Sequence, residues 1–105
     1  MARITAKKSG SVIQLEIAGE ALHAQCAKAV EFLRTIVAGT WSECTVDLTR
    51  VEGMDLPYLQ MLASFGRSMQ QCGKKVTYAA LPDGHAVKLT ADRLGMAEIV
   101  SAQWR

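Results

Sequence analysis

The segment that decides the fold runs Val46-Asp47-Leu48-Thr49-Arg50-Val51-Glu52-Gly53-Met54-Asp55-Leu56-Pro57-Tyr58-Leu59-Gln60-Met61-Leu62. Its first part, preceded by Cys44, is short and mostly apolar up to Asp47, as expected of a strand covered on at least one face. Its last part repeats apolar residues at helical spacing after Asp55, which suits a helix N-cap. Pro57 is tolerated in a first helical turn, where a missing N–H costs little. We therefore predict a buried strand over 44–48, a tight loop and a helix that begins near Asp55.

The chain on both sides of this segment switches between strand-like and helix-like periodicity. The predicted strands cover 3–8, 12–18, 44–48 and 75–79, and the predicted helices cover the stretch from Leu22 to Gly39, 56–72 and 84–94. Glycines at 10, 39, 73 and 95 supply the hairpin turn and the helix ends. Near the C-terminus, Ile99, Val100 and Trp104 are expected to pack back onto the body. The order β-β-α-β-α-β-α predicts one α/β domain over residues 1–105, a small mixed β-sheet with helices packed against it.

Composition excludes several classes of protein. The 105-residue chain is 50% hydrophobic and carries a net charge of +2, too little for a phosphate-binding surface, so no nucleic-acid partner is expected. Charged or polar residues break every apolar run, and the N-terminus lacks the apolar run of a secretory signal. We therefore expect a cytoplasmic protein that does not insert into a membrane. The basic pairs at 7–8 and 74–75 each precede a strand-like run, and we interpret them as solubility or edge protection.

Residues with catalytic or metal-binding chemistry occur, but they do not form a recognisable site. His23 and His85 have no activated nucleophile to serve, and no glycine loop is arranged to hold a phosphate. His23 and Cys26 share a helix face and can form one edge of a metal site, but two ligands are not a site. No regular spacing links the cysteines or the carboxylates near the central strand, which are Cys26, Cys44, Cys72, Asp47, Glu52 and Asp55. We predict no enzymatic activity, no metal and no cofactor.

The helix over 56–72 has more apolar surface than a core requires. A core-facing stripe has a second stripe beside it, formed by Tyr58, Met61, Phe65 and Cys72. Either neighbouring helices cover this second stripe, or it is a partner surface, since exposed Tyr, Met and Phe have the composition of interface cores.

A family resemblance is carried by Thr45-Val46-Asp47-Leu48-Thr49, followed by Val51, Met54-Asp55 and Leu59-Gln60-Met61-Leu62. These residues resemble the pattern apolar-D-L-S, a spacer, D-S-S-G-L and an apolar helix of the STAS domain. That is the fold of bacterial anti-sigma factor antagonists and of the cytoplasmic tails of sulfate transporters. Gly73-Lys74-Lys75-Val76 is similar to the next loop and strand of the family, and Leu94-Gly95-Met96 to its late leucine-glycine pair. The resemblance implies a non-enzymatic module that docks onto a protein partner, usually an anti-sigma kinase.

The phosphoacceptor of the family is missing from the matching stretch, Asp55-Leu56-Pro57-Tyr58. The resemblance implies how members of the family that switch by phosphorylation work. A serine or threonine of D-S-S-G is phosphorylated by the partner kinase, and the added charge at the helix start breaks the complex with that kinase. Leu56 and Pro57 stand at the two hydroxyl positions and cannot accept phosphate, and Tyr58 replaces the glycine. This degenerate phosphosite predicts that the partner kinase does not phosphorylate the loop.

Three hypotheses about function remain. In the leading one, a regulatory module of anti-sigma antagonist type binds a kinase-like anti-sigma factor through the 53–65 loop and helix, with the contact residues Asp55, Leu56, Pro57, Tyr58, Met61 and Phe65. In the second, the chain is an accessory subunit of a membrane transporter ATPase of the lipid-transport type. In the third, a small-ligand sensor has a pocket near Tyr58 and Trp41, although a lone aromatic pair is more often packing. The sequence leaves open whether the protein is a homodimer.

Overall fold

A computed structural model describes residues 3–22, 24, 26–82 and 84–95. The elements follow the predicted order: β1 (Arg3–Ser9), β2 (Val12–Ala21), α1 (Cys26–Ala38), β3 (Glu43–Met54), α2 (Leu56–Gln71), β4 (Lys75–Tyr78) and α3 (Ala86–Arg93). The predicted fold class is confirmed: a four-stranded mixed sheet carries three helices. His23 and the segment that holds Ile99, Val100 and Trp104 lie outside the described residues.

The strands lie in the sheet in chain order, β1-β2-β3-β4. β1 and β2 form an antiparallel hairpin, whose turn uses Gly10 at a φ of 61°. β2 pairs with β3 and β3 with β4 in parallel, each through a crossover that contains one helix. Both crossovers are thus βαβ units, as the alternation of periods predicts.

β3 corrects the prediction of a strand over 44–48 followed by a tight loop. The strand runs 12 residues to Met54, two more than the 10 residues of β2 beside it. The ladder takes up this excess at two irregularities: Leu48 and Thr49 both oppose Ile17, and Glu52 has no residue opposite. Such bulges break the alternation of apolar and polar residues, so the pattern at Thr49 and Arg50 wrongly indicates a strand end.

The core lies between one face of the sheet and the helices. Alternate residues of the two central strands are buried, among them Leu15, Ile17, Val46 and Leu48, and they pack against Leu59, Leu62 and Met69 of α2. The opposite face of the sheet is polar and partly exposed, with Gln14, Thr45 and Thr77 in one row across the strands. A one-sided core of this kind leaves the helix layer and the polar sheet face as two different surfaces. Within the described residues, no helix has the length and apolar character needed to cross a membrane.

The C-terminal end of α1 is fastened by three donors. The Lys74 Nζ donates to the carbonyl oxygens of Val37 at 2.6 Å and Gly39 at 2.5 Å, with a longer contact to Ile36 at 3.4 Å. The Trp41 Nε1 and the Gly39 N–H also donate to the Ile36 carbonyl, at 2.7 and 3.1 Å. A cation at a helix C-terminus complements the helix dipole and satisfies carbonyls left without intrahelical donors. The interpretation of Lys74 as solubility or edge protection is therefore wrong.

Candidate functional site

The site predicted from the sequence lies where β2 and β3 end and α2 begins. The backbone N–H of Asp55 donates to the Ala21 carbonyl at 3.2 Å, which ties the start of α2 to the last residue of β2. The Asp55 Oδ1 accepts the backbone N–H of Tyr58 at 3.2 Å, so the predicted N-cap is confirmed. Pro57 stands in the first turn of α2, where its missing N–H leaves no hydrogen bond unmade.

Two apolar residues at the start of α2 face solvent. Leu56 is 38% exposed and Pro57 is exposed beside it. In the part of the chain that the structure describes, only Leu89 and Leu94 are other large apolar side chains with comparable exposure. Single exposed apolar residues are common on protein surfaces, so the adjacency of Leu56 and Pro57 at one helix start, and not their exposure alone, makes this pair a candidate contact surface.

Tyr58 points the other way. Its side chain has 0% exposure, and its hydroxyl has no hydrogen-bond partner among the described residues. Burial, with a smaller contribution from the Cys26 thiol, raises the pKa of the Tyr58 phenol to about 12. Tyr58 therefore anchors α2 in the core and does not offer its ring to a partner, which corrects its assignment as a contact residue.

The second apolar stripe of α2 is largely part of the core. Phe65 is 4% exposed and Met61 is half-buried, because α1 packs beside α2 and places Val30, Leu33 and Val37 against them. The hypothesis of a free apolar stripe through Tyr58, Met61 and Phe65 is thus wrong for Tyr58 and Phe65. Cys72, at the end of the same stripe, is exposed. Met61 alone of the three predicted residues keeps part of its side chain at the surface.

The pocket expected between Tyr58 and Trp41 does not form. Trp41 precedes β3 and Tyr58 follows it, so the length of that strand separates them. The Trp41 indole is bonded to the Ile36 carbonyl at the end of α1, and the Lys8 ammonium lies 5.2 Å from its ring centroid. Neither the cavity on the polar sheet face nor the one between α1 and α2 includes Tyr58 or Trp41 in its walls.

The possible metal ligands serve structural purposes where they are described. The Asp47 Oδ1 accepts the backbone N–H and the Oγ1 hydroxyl of Thr49, at 2.9 and 2.6 Å, and Asp55 caps α2. Burial, and then the nearby Asp55 carboxylate, raise the pKa of the Cys26 thiol, which disfavours the thiolate that a metal would need. Over the described ranges, no group of three or more His, Cys, Asp or Glu side chains is arranged to hold an ion.

His85 has a structural role that the sequence does not indicate, because that role depends on a distant residue. As the N-cap of α3, its Nδ1 accepts the Val87 backbone N–H at 3.1 Å. The Nε2 therefore carries the ring proton, and it lies 2.9 Å from the carbonyl oxygen of Thr49, the extra residue of the first bulge. This one side chain fixes α3 to the irregular part of β3.

Comparison with known proteins decides the family. The family model described as Mlab, STAS domain, matches residues 4–101. The chain belongs to the STAS domain family. The match includes β3 and α2, the strand and helix that carry the resemblance. No curated protein matches this STAS domain in sequence.

Solved structures support the fold of this STAS domain. The anti-sigma factor antagonist SpoIIAA in its unphosphorylated form superposes with a TM-score of 0.77 at 10% identity, over 98% of this chain and 86% of that one. An anti-sigma factor antagonist from Mycobacterium paratuberculosis gives 0.76 at 16% identity, over 95% and 83%. Mglu gives 0.66 at 19% identity, over 76% of this chain but only 20% of its own length. At these identities the likeness establishes a shared fold.

Proposed function

We propose that this STAS domain is a cytoplasmic protein-interaction module of anti-sigma factor antagonist type, which binds its partner through the start of α2. The observation that carries the proposal is the exposure of Leu56 and Pro57 at that helix start. Asp55 and the half-buried Met61 flank them on the same helix, so charged, apolar and thioether groups lie within about two turns. Tyr58 and Phe65 support this surface from below.

The proposed module works without phosphorylation of the loop. Leu56 and Pro57 have no hydroxyl group, and the Tyr58 hydroxyl is enclosed in the core, where a kinase has no access. SpoIIAA, in contrast, is known in a phosphorylated form. Incubation with ATP and the cognate kinase should leave residues 55–58 unmodified by mass spectrometry, and phosphate on that peptide would refute this part of the proposal.

A pair of matched variants tests the docking surface. Leu56→Asp and Leu89→Asp each place a carboxylate on an exposed leucine, one on α2 and one on α3. We expect Leu56→Asp to raise the Kd for the purified partner by about tenfold or more, because an apolar contact residue becomes a desolvated charge. Leu89→Asp should leave the Kd within about twofold. Equal losses in both variants, or none in Leu56→Asp, would contradict a surface centred on the start of α2.

The identity of the partner distinguishes this proposal from a second candidate. The matching family model is described as Mlab, STAS domain, and its description names no anti-sigma factor, so the hypothesis of an accessory subunit of a transporter ATPase stays as the alternative. The same exposed helix start would then contact the ATPase. Isothermal titration with a purified kinase-like anti-sigma factor and with a purified transporter ATPase, each encoded near this gene, separates the two. Sedimentation of the isolated chain shows whether a second copy competes for the surface.

A further inference from the structure

A shallow groove of about 210 Å³ runs between α1 and α2 on the outer side of the helix layer. Its α1 wall carries Val30, Arg34 and Val37, and its α2 wall carries Met61, Ser64 and Ser68. Both walls repeat at helical spacing, so the groove follows the two helices over about two turns. Val30, Val37 and Met61 each remain partly exposed along it.

The size of the groove favours a side chain over a small molecule. Ligand pockets in proteins usually measure about 300–1,000 Å³, whereas a water molecule takes about 30 Å³ of liquid. A volume of about 210 Å³ therefore equals roughly seven waters and suits one large apolar side chain. The serines on the α2 wall are small, so the backbone of an approaching segment can come close to the helix.

The charge along the groove has one sign. Arg34 forms no ion pair with another described residue, and the Arg67 guanidinium lies beside the groove with its Nη2 donating to the Ser64 Oγ at 3.1 Å. No residue of the groove wall is acidic, and Glu31, which is exposed on α1, does not line it. An occupant that brings a carboxylate can form a charge-assisted, bidentate contact with a guanidinium here.

We propose that the α1–α2 groove binds an amphipathic helix of the protein partner, which inserts one large apolar side chain and places a carboxylate about one turn away against Arg34. The inference rests on the proposed function, because it extends the docking surface from Pro57, which lies one helical turn before Met61 on the same face of α2, into the groove. A groove between two helices, with Val30 and Val37 on one wall and Met61 on the other, is a geometry that receives a helix.

The larger concavity of the molecule does not suit the same occupant. It measures about 570 Å³ and lies on the polar face of the sheet, where Lys7, Glu16 and Asp47 bring both signs of charge among threonine and glutamine side chains. This surface carries both signs of charge and is less apolar in proportion than the helix groove, so an apolar side chain gains less by entering it. The helix groove is therefore the better site for a large apolar side chain that has a carboxylate about one turn away.

The test uses the full chain and a phage-displayed library of 16-residue helical peptides. We expect enrichment of peptides that carry an aromatic or large aliphatic residue three or four positions from Asp or Glu. Amide chemical shifts of the labelled protein should then move at Val30, Val37 and Met61. Enriched peptides that shift only the polar sheet face, peptides without this acidic-apolar pairing, or no enrichment would each overturn the proposal.

Charge reversal at two positions of α1 provides a matched control. Arg34→Glu lies in the groove, whereas Lys28→Glu is exposed on the same helix outside it. Arg34→Glu should weaken the selected peptides and the natural partner about tenfold, while Lys28→Glu should change binding less than about twofold, both with unchanged thermal unfolding. If Leu56→Asp weakens the natural partner and Arg34→Glu does not, the groove proposal fails and the proposed function stands. If Arg34→Glu weakens it and Leu56→Asp does not, the helix start is not the docking site and the groove proposal alone is supported.

Discussion

The end of α1 and the start of α2 are both helix termini next to β3, at its opposite ends, yet they are built in opposite ways. At the end of α1, Lys74, Trp41 and Gly39 supply donors to the last carbonyls, so the polar groups there are paired. At the start of α2, one carboxylate caps the helix, Leu56 faces solvent and the Tyr58 hydroxyl is buried without a described partner.

We interpret this difference as a division between a terminus that serves stability and one that, in the proposed function, serves recognition. Paired groups at the α1 end gain from folding alone and need no other molecule. The α2 start keeps exposed apolar surface and a buried hydroxyl without a partner among the described residues, and both cost free energy in the isolated chain. Departures from the rules of stability are expected where a protein makes contact with others.

The largest effect should come from removing the cation at the end of α1. Lys74→Met keeps the length of the side chain but leaves the carbonyls of Val37 and Gly39 without their charged donor. We expect the free energy of unfolding to fall by about 1.5–3 kcal/mol, measured by urea denaturation. The exposed neighbour provides the control, since Lys75→Met should change stability by less than about 0.5 kcal/mol. Equal effects in both variants would remove the proposed contrast between the two termini.

A smaller loss in the free energy of unfolding is expected from a substitution at the start of α2. Asp55→Ala removes the acceptor of the Tyr58 N–H, and loss of an N-cap typically costs about 1 kcal/mol. Asp55→Asn retains a capping oxygen and should recover most of the stability in the same denaturation experiment. A loss in Asp55→Ala that exceeds that of Lys74→Met would show that the α2 start is the more strongly stabilised terminus.

Tyr58→Phe should change stability in the opposite direction. The substitution keeps the buried ring and removes a hydroxyl that has no described partner, so we expect a gain of up to about 1 kcal/mol at neutral pH. A clear destabilisation would show that the hydroxyl is hydrogen-bonded, and the contrast would then lose one of its supports.

Alkaline pH should increase the difference in stability between wild type and Tyr58→Phe. The folded state holds the Tyr58 proton more tightly, with a pKa of about 12 against about 10 in an unfolded chain, so the unfolded state loses its proton first. The stability contributed by the protonated phenol is therefore complete below about pH 10 and is lost as the pH rises towards 12. Wild type should lose more stability than Tyr58→Phe over this window. Burial also raises the pKa of Tyr78, but that residue is present in both proteins and cancels from the comparison. Parallel curves for the two proteins would contradict the assignment.

The smallest effect on stability should come from Leu56→Asp. The residue is exposed at a helix N-terminus, where a negative charge is favourable, so unfolding should change by less than about 0.5 kcal/mol. An unchanged free energy of unfolding, together with the expected loss of partner binding, would show that Leu56 is needed for binding and not for folding. A loss of stability comparable to that of Asp55→Ala would instead make Leu56 a structural residue.

Local patterns predicted most of the fold, because periodicity and end signals are properties of neighbouring residues. The N-cap at Asp55 and the glycines that end helices at 73 and 95 can each be identified from a few neighbouring residues, and the structure has them as expected. The contact residues were harder to identify. Whether Tyr58 and Phe65 face water depends on α1, which lies some 30 positions earlier, and an apolar stripe looks the same whether a helix or a partner covers it.

Long-range polar contacts also lay beyond the sequence. Lys74 reaches carbonyls 35 to 38 positions away, and His85 reaches Thr49 across 36. Nothing in the composition around either residue distinguishes a solvated side chain from one that closes a helix or a bulge. Their roles follow only from the three-dimensional arrangement of α1, β3 and α3.

The two bulges of β3 have a consequence for how related chains vary in length. Thr49 and Glu52 are the residues that the ladder does not need, and Leu48, Val51 and Met54 stay buried because the bulges restore the alternation around them. A relative that lacks one or both of these residues can keep the same side chains in the core. Homologues are therefore best aligned here by counting backwards from the α2 cap at Asp55, since a count forwards from the strand shifts the start of α2 by one or two positions.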